Sequence, residues 1–77
     1  MRAFLLCNLT GEWKVSVEVL SYDKATHMMH VRCAKQYGGI EYERHFDPAL
    51  KYNRTDYRII TANDVGELNA KLTELRS

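Results

Sequence analysis

The sequence predicts a mainly β domain of the α+β class: an antiparallel meander of four to five strands, curled into a small barrel or a twisted sheet, with one amphipathic C-terminal helix. Three observations carry this. Apolar residues alternate with polar ones through Trp13, Val15, Val17 and Val19, with Lys14, Ser16 and Glu18 between them, the period of a half-buried strand. Turn formers, Thr10-Gly11 and Gly38-Gly39, separate the apolar runs. The period changes only at the end, where Val65, Leu68, Leu72 and Leu75 are spaced three, four and three, one stripe of a helix.

Taken in order, residues 3–9 are apolar at nearly every position, as in a strand buried on both faces. Thr10-Gly11 reads as a tight hairpin into the strand beginning at Trp13. Polar turn formers follow at 21–26. A third strand spans roughly 28–37. Gly38-Gly39 suits a two-residue primed turn, because glycine reaches positive φ at little cost. The fourth strand, 40–46, places Ile40, Tyr42 and Phe46 on one face and Glu41, Glu43 and His45 on the other. Asp47-Pro48 ends it, since proline cannot donate to a ladder. Residues 47–55 are polar and irregular, with one possible helical turn at 48–51, and 56–61 forms a short fifth strand. Asn63 or Thr61 caps the helix, and Glu67 and Lys71 form an i,i+4 pair.

The turns also imply a register. A Gly38-Gly39 hairpin pairs Tyr37 with Ile40, Val31 with Phe46, Cys33 with Arg44, Arg32 with His45, and His30 with Asp47. The Thr10-Gly11 turn pairs Val15 with Leu6 and Val17 with Phe4. Phe4, Leu6, Val15, Val17, Val31, Tyr42 and Phe46 then share one face. Parity asks for three or five residues in the second hairpin loop, and it sends Cys7 and Cys33 to opposite faces, unbonded. Leu5, Cys7 and Leu9 form a second apolar face, for which the helix is the expected cover.

Seventy-seven residues suffice for a single domain, 1–77, with a thin stability margin. A hydrophobic content of 45% argues against disorder. Eleven basic and ten acidic residues leave a net charge of +1, which asks for neither nucleic acid nor an anionic membrane. Two cysteines make no disulfide framework and lack metal-ligand spacing. The apolar run before Cys7 stops at Asn8, and bulky Leu6 precedes the cysteine, so it does not read as a signal or lipoprotein sequence. No segment approaches transmembrane length, and a cytoplasmic location is expected by default.

Three constellations could carry chemistry. His30, Arg32, Glu43, His45 and Asp47 cluster on the outer face of the third and fourth strands, where His30, His45 and Asp47 could converge on a divalent metal. Cross-strand charge pairs on a solvated face are the commoner use of such residues. Lys51, Tyr52, Arg54, Tyr57 and Arg58 interleave basic and aromatic side chains, as single-stranded nucleic-acid sites do. The low net charge favours an ordinary surface loop instead. Trp13, Tyr22, Tyr37, Tyr42, Tyr52 and Tyr57 could form a cage for a cation or a proline-rich peptide, with Tyr22 the best exposed candidate, although core and rim packing is commoner. Catalysis has little support: no serine sits in a nucleophile elbow and there is no glycine-rich phosphate loop.

Val17-Glu18-Val19-Leu20-Ser21-Tyr22-Asp23-Lys24-Ala25-Thr26, ending at Val31-Arg32, resembles the central hairpin of Tudor-like and other SH3-like barrels over about sixteen of the 77 residues. The resemblance implies an SH3-like small barrel and carries over no binding residue. The function expected is a non-catalytic, cofactor-free binding module that contacts another protein, or itself as a homodimer, because a core this small leaves little room for a deep pocket. Nucleic-acid binding through Lys51, Arg54 and Arg58 is the alternative, and a metal site or metal-dependent enzyme at His30, His45 and Asp47 a further one. No membrane partner is expected.

Overall fold

The first strand is the centre of the architecture. The computed structural model describes residues 1–8, 10–47 and 56–76. In it β1 (Arg2–Asn8) lies between β2 (Trp13–Asp23) and β5 (Asp56–Ala62). With β3 (Met28–Arg32) and β4 (Glu41–His45) they form one five-stranded sheet, ordered β4-β3-β2-β1-β5 and antiparallel at each pairing. The helix α1 (Val65–Arg76) follows β5. The expected meander and C-terminal helix are therefore present.

Both faces of β1 are buried, because its apolar residues run without alternation. Phe4 and Leu6 join Ala62, Leu68 and Leu72 in one core under the helix, flanked by Trp13, Ile60 and Leu75. Leu5 joins Val17, Met29, Val31 and Phe46 in a second core, flanked by Val19, Tyr22 and Tyr57. The helix thus covers the Phe4–Leu6 side of β1, not the Leu5–Cys7 side. The second core is covered by curl of the sheet. The Phe46 and Tyr57 rings, from the β4 and β5 edges, meet edge to face at 5.9 Å. The two edge strands touch through side chains and do not pair, so the sheet is not closed into the barrel that the resemblance implied.

Bulges in β2 explain the main departures from the expected register. Leu6 pairs with Val15 as expected, but Leu5 pairs with Val17, leaving Ser16 as an extra residue. Val15 and Val17 therefore fall on opposite faces. A second irregularity at Leu20 lets Glu18 pair with Arg32 and Tyr22 with Met29. The β2–β3 pairing closes at Asp23 and Met28, so its loop has four residues where parity asked for three or five. Cys7 and Cys33 are both free. Their separation lies along the sheet: Cys7 pairs with Lys14, whereas Cys33 follows Arg32, which pairs with Glu18.

The Gly38-Gly39 turn is wider than a two-residue hairpin. Both glycines do adopt positive φ, 92° and 61°, yet a 3-10 turn at Lys35–Tyr37 intervenes and the ladder opens at Arg32 and Glu41. The β3–β4 register consequently moves by four residues. His30 faces Glu43, not Asp47; Arg32 faces Glu41, not His45; Val31 faces Tyr42, not Phe46. An even shift preserves face parity, so the charged face and the core face of these strands stay as expected. At the helix start Asp64, not Asn63 or Thr61, is the cap: its Oδ1 accepts from the Glu67 N–H at 2.8 Å. Glu67 Oε2 reaches back to the Asn63 N–H at 2.9 Å, and Glu67 Oε1 lies 3.5 Å from Lys71 Nζ. These contacts, the Asn63 N–H first, hold the Glu67 carboxyl below its usual pKa.

Candidate functional site

The exposed chemistry gathers at β4 and the hairpin before it. Tyr37 is 70% exposed and Ile40 62%, with Tyr42 partly exposed beyond them. Their backbone is tied down: Tyr37 and Gly39 N–H donate to the Ala34 carbonyl at 2.9 and 3.2 Å, Gly38 N–H to Lys35 at 2.9 Å, and Cys33 N–H to Ile40 at 2.9 Å. Among the described residues no layer of the fold covers the tip, so apolar side chains stand on a loop held by its own backbone. Tyr37 and Ile40 do not face each other in a ladder as expected, since Ile40 pairs with Cys33; two large apolar residues flanking a glycine pair are the local cue to a projecting tip.

At the other end of β4 lies a polar cluster. The Tyr22 hydroxyl is 3.0 Å from the Phe46 carbonyl and 2.9 Å from His27 Nδ1. A carbonyl only accepts, so the tyrosine proton goes to Phe46 and His27 Nδ1 must carry the hydrogen it shares with Tyr22. His27 Nε2 then faces Asp47 Oδ2 at 3.9 Å. The His45 ring stands edge-on to His27 at 6.1 Å. His27 has φ 58°, the one non-glycine positive φ among the described residues, and its carbonyl takes the Phe46 N–H at 2.8 Å. Tyr22 is accordingly a structural clasp between the β2–β3 turn and the end of β4, not a free aromatic. His27 has no assigned role in the sequence pattern, since nothing local marks a turn histidine as a partner for Tyr22. Beside the clasp, Arg44, His45, Phe46 and Tyr57 line an open cleft of about 380 Å³. Arg44 stacks 5.4 Å from the Tyr57 ring centre.

The metal trio is divided. His30 Nε2 lies 3.1 Å from Glu41 Oε2, and Glu41 Oε1 accepts from Arg32 Nη2 at 2.6 Å. Arg32 first, then His30, holds the Glu41 carboxyl below its usual range, and Glu41 in turn raises the Arg32 guanidinium. Asp47 lies instead with His27. Among the described residues, no three His, Cys, Asp or Glu side chains form a metal-holding group.

Of the basic and aromatic segment, Lys51, Tyr52 and Arg54 lie outside the described residues. Arg58 is on the helix side of β5, opposite Leu6, with its guanidinium 4.9 Å from the Trp13 ring centre. Arg76 of α1 donates to the Trp13 carbonyl at 2.8 Å. Arg76 and Trp13 thus tie the helix C-terminus to the sheet, and Arg58 stacks on the Trp13 ring. No helix among the described residues is long and apolar enough to cross a membrane. Comparison with protein-family models, curated proteins and solved structures finds no match to this chain.

Proposed function

We propose that the chain is a small non-catalytic binding module that contacts another protein through the tip of the β3–β4 hairpin. The observation that carries this is the pair Tyr37 and Ile40, 70% and 62% exposed on a loop held by its own backbone hydrogen bonds. Scattered apolar residues on a surface are ordinary, but clustered ones on a protruding element favour a partner. A fixed loop loses little conformational freedom on binding, and tyrosine is favoured at interface centres. The tyrosine–histidine pair argues against a nucleophile, since the Tyr22 proton is directed at a carbonyl rather than at a base.

A photo-reactive phenylalanine analogue at Tyr37, irradiated in cells that make the protein, is expected to form a discrete adduct. Ile40→Asp should remove that adduct, and the same analogue at Lys24, in the turn at the other end of β3, should not form it. Equal labelling from Tyr37 and Lys24, or labelling indifferent to Ile40→Asp, refutes the tip as the contact.

A further inference from the structure

We propose that the outer edge of β4 pairs, antiparallel, with the same edge of a second copy of this chain. This rests on the contact reading above and names one partner for that side of the molecule.

The backbone states which groups are available. The Phe46 N–H donates to His27, and the Ile40 carbonyl accepts from Cys33. Ladder groups alternate along an antiparallel strand, so even-numbered residues of β4 face β3. Glu41, Glu43 and His45 therefore turn their N–H and C=O groups outward, and no strand among the described residues lies beside them. The opposite edge of the sheet differs, because Lys71 from α1 donates to the Thr61 carbonyl of β5. An uncovered strand edge is a template for another strand.

Side chains select the register. With a two-fold axis at Glu43, Glu41 stands opposite His45 of the second copy and Tyr42 opposite its Arg44, each twice by symmetry. All three outward residues are then paired. Centring the axis on Tyr42 sets Glu41 against Glu43, and centring it on Arg44 sets that arginine against itself; both also leave one outward residue unpaired. The favoured register has one like-charged pair, Glu43 with its copy, and each of these has His30 directly across in its own sheet. The same register carries Ile40 opposite Phe46 of the second copy, beside the cleft lined by Arg44, His45, Phe46 and Tyr57. The exposed apolar residue of each copy thereby gains cover from the other.

Light scattering on the full chain at about 1 mM, a concentration suited to weak pairs, is expected to give twice the 9.0 kDa chain mass. Glu43→Pro should restore the monomer. The Glu43 N–H points away from β3, so the β3–β4 ladder loses no bond, and circular dichroism checks that the fold survives. Glu43→Gln should tighten the dimer by up to about fivefold, the effect of removing a directly opposed like charge. On oxidation in a Cys33→Ser background, Glu43→Cys should form a disulfide dimer, since hydrogen-bonded antiparallel partners have Cα atoms about 5.5 Å apart. Glu41→Cys should not, its copies being about 13 Å apart at four residues' separation. A monomer at about 1 mM, a dimer indifferent to Glu43→Pro, or equal cross-linking at Glu41 and Glu43 overturns the proposal. If the Tyr37 adduct persists while the dimer fails, the contact reading stands and the second copy is the wrong partner; loss of both removes both.

Discussion

Tyr22→Phe removes one oxygen and keeps the ring, so its effect isolates the clasp. Two hydrogen bonds disappear, at 2.9 Å with His27 Nδ1 and 3.0 Å with the Phe46 carbonyl. Each net hydrogen bond contributes about 0.5–1.5 kcal/mol, and the partly buried setting lets water replace some of the loss, which gives about 1–2 kcal/mol in all. That is large beside the roughly 4–12 kcal/mol expected for 77 residues. In a domain of this size each kcal/mol lowers Tm by about 4–8 °C. Urea unfolding followed by Trp13 fluorescence, together with thermal melts, measures the change. A second readout separates the clasp from general damage: nitrogen–proton NMR of His27 should show hydrogen on Nδ1 in the wild-type neutral ring, and should lose that preference in Tyr22→Phe. If Tyr22 were instead an exposed partner contact, stability and tautomer would both be unchanged. A midpoint shift equivalent to less than about 0.3 kcal/mol, with His27 unaltered, refutes the reasoning.

Acid should destabilise the fold in a defined window. The Glu41 carboxyl is held low chiefly by Arg32, Glu67 by the Asn63 N–H, and Asp23 by the Ala25 N–H. Each folded-state pKa lies below the unfolded one, so its stabilisation is complete above about pH 5 and is lost as pH falls through the folded value. Urea midpoints measured from pH 7 to pH 3 should hold level and then decline below about pH 4.5; a midpoint that stays constant to pH 3 contradicts this. The helix offers a contrast between two positions of the same stripe. Leu72 is buried in the core under α1, and its replacement by alanine should cost about 2–4 kcal/mol. Val65→Ala, at a residue 56% exposed, should stay within about 0.5 kcal/mol of wild type in the same melts.

Elements whose signal is local were readable from sequence. The unbroken apolar run of β1 demanded burial on both faces, and Leu68 and Leu72 marked the docked side of the helix. Faces and pairings were less readable, because they rest on counting through β2. The alternation Trp13, Val15, Val17, Val19 resembles one continuous face, yet the bulge at Ser16 sends Trp13 to the helix side and Val17 and Val19 to the other. Both destinations are apolar, so hydrophobicity alone could not expose the change. The second bulge did leave a trace: apolar positions move from odd to even between Val19 and Leu20, Tyr22. For the site, the charged face of β3 and β4 was legible in composition and parity, whereas the pairing of His30 with Glu41 rather than with Asp47 depended on the length of the Gly38-Gly39 turn. A glycine pair announces positive φ without stating how many residues the loop contains.

The bulges also connect the fold to its contact edge. β1 needs cover on both sides, and α1 supplies one. Among the described residues the other side is covered by the sheet itself, which requires more bend than a regular ladder gives. Bulges increase local twist and bend the strand that carries them, and β2, between β1 and β3, carries both. The bend brings Phe46 and Arg44 from one edge against Tyr57 from the other, so that side chains meet across the second core. Because closure stops short of backbone pairing, two sheet edges survive among the described residues. The helix that follows β5 reaches the nearer one through Lys71. The farther edge, β4, is left with three outward residues, of which Glu41 and His45 complement each other across the two-fold axis, next to a tip that exposes Tyr37 and Ile40. On this view the contact surface follows from the way the small core is completed: a sheet closed into a full barrel would have buried the same backbone groups and left no edge to pair.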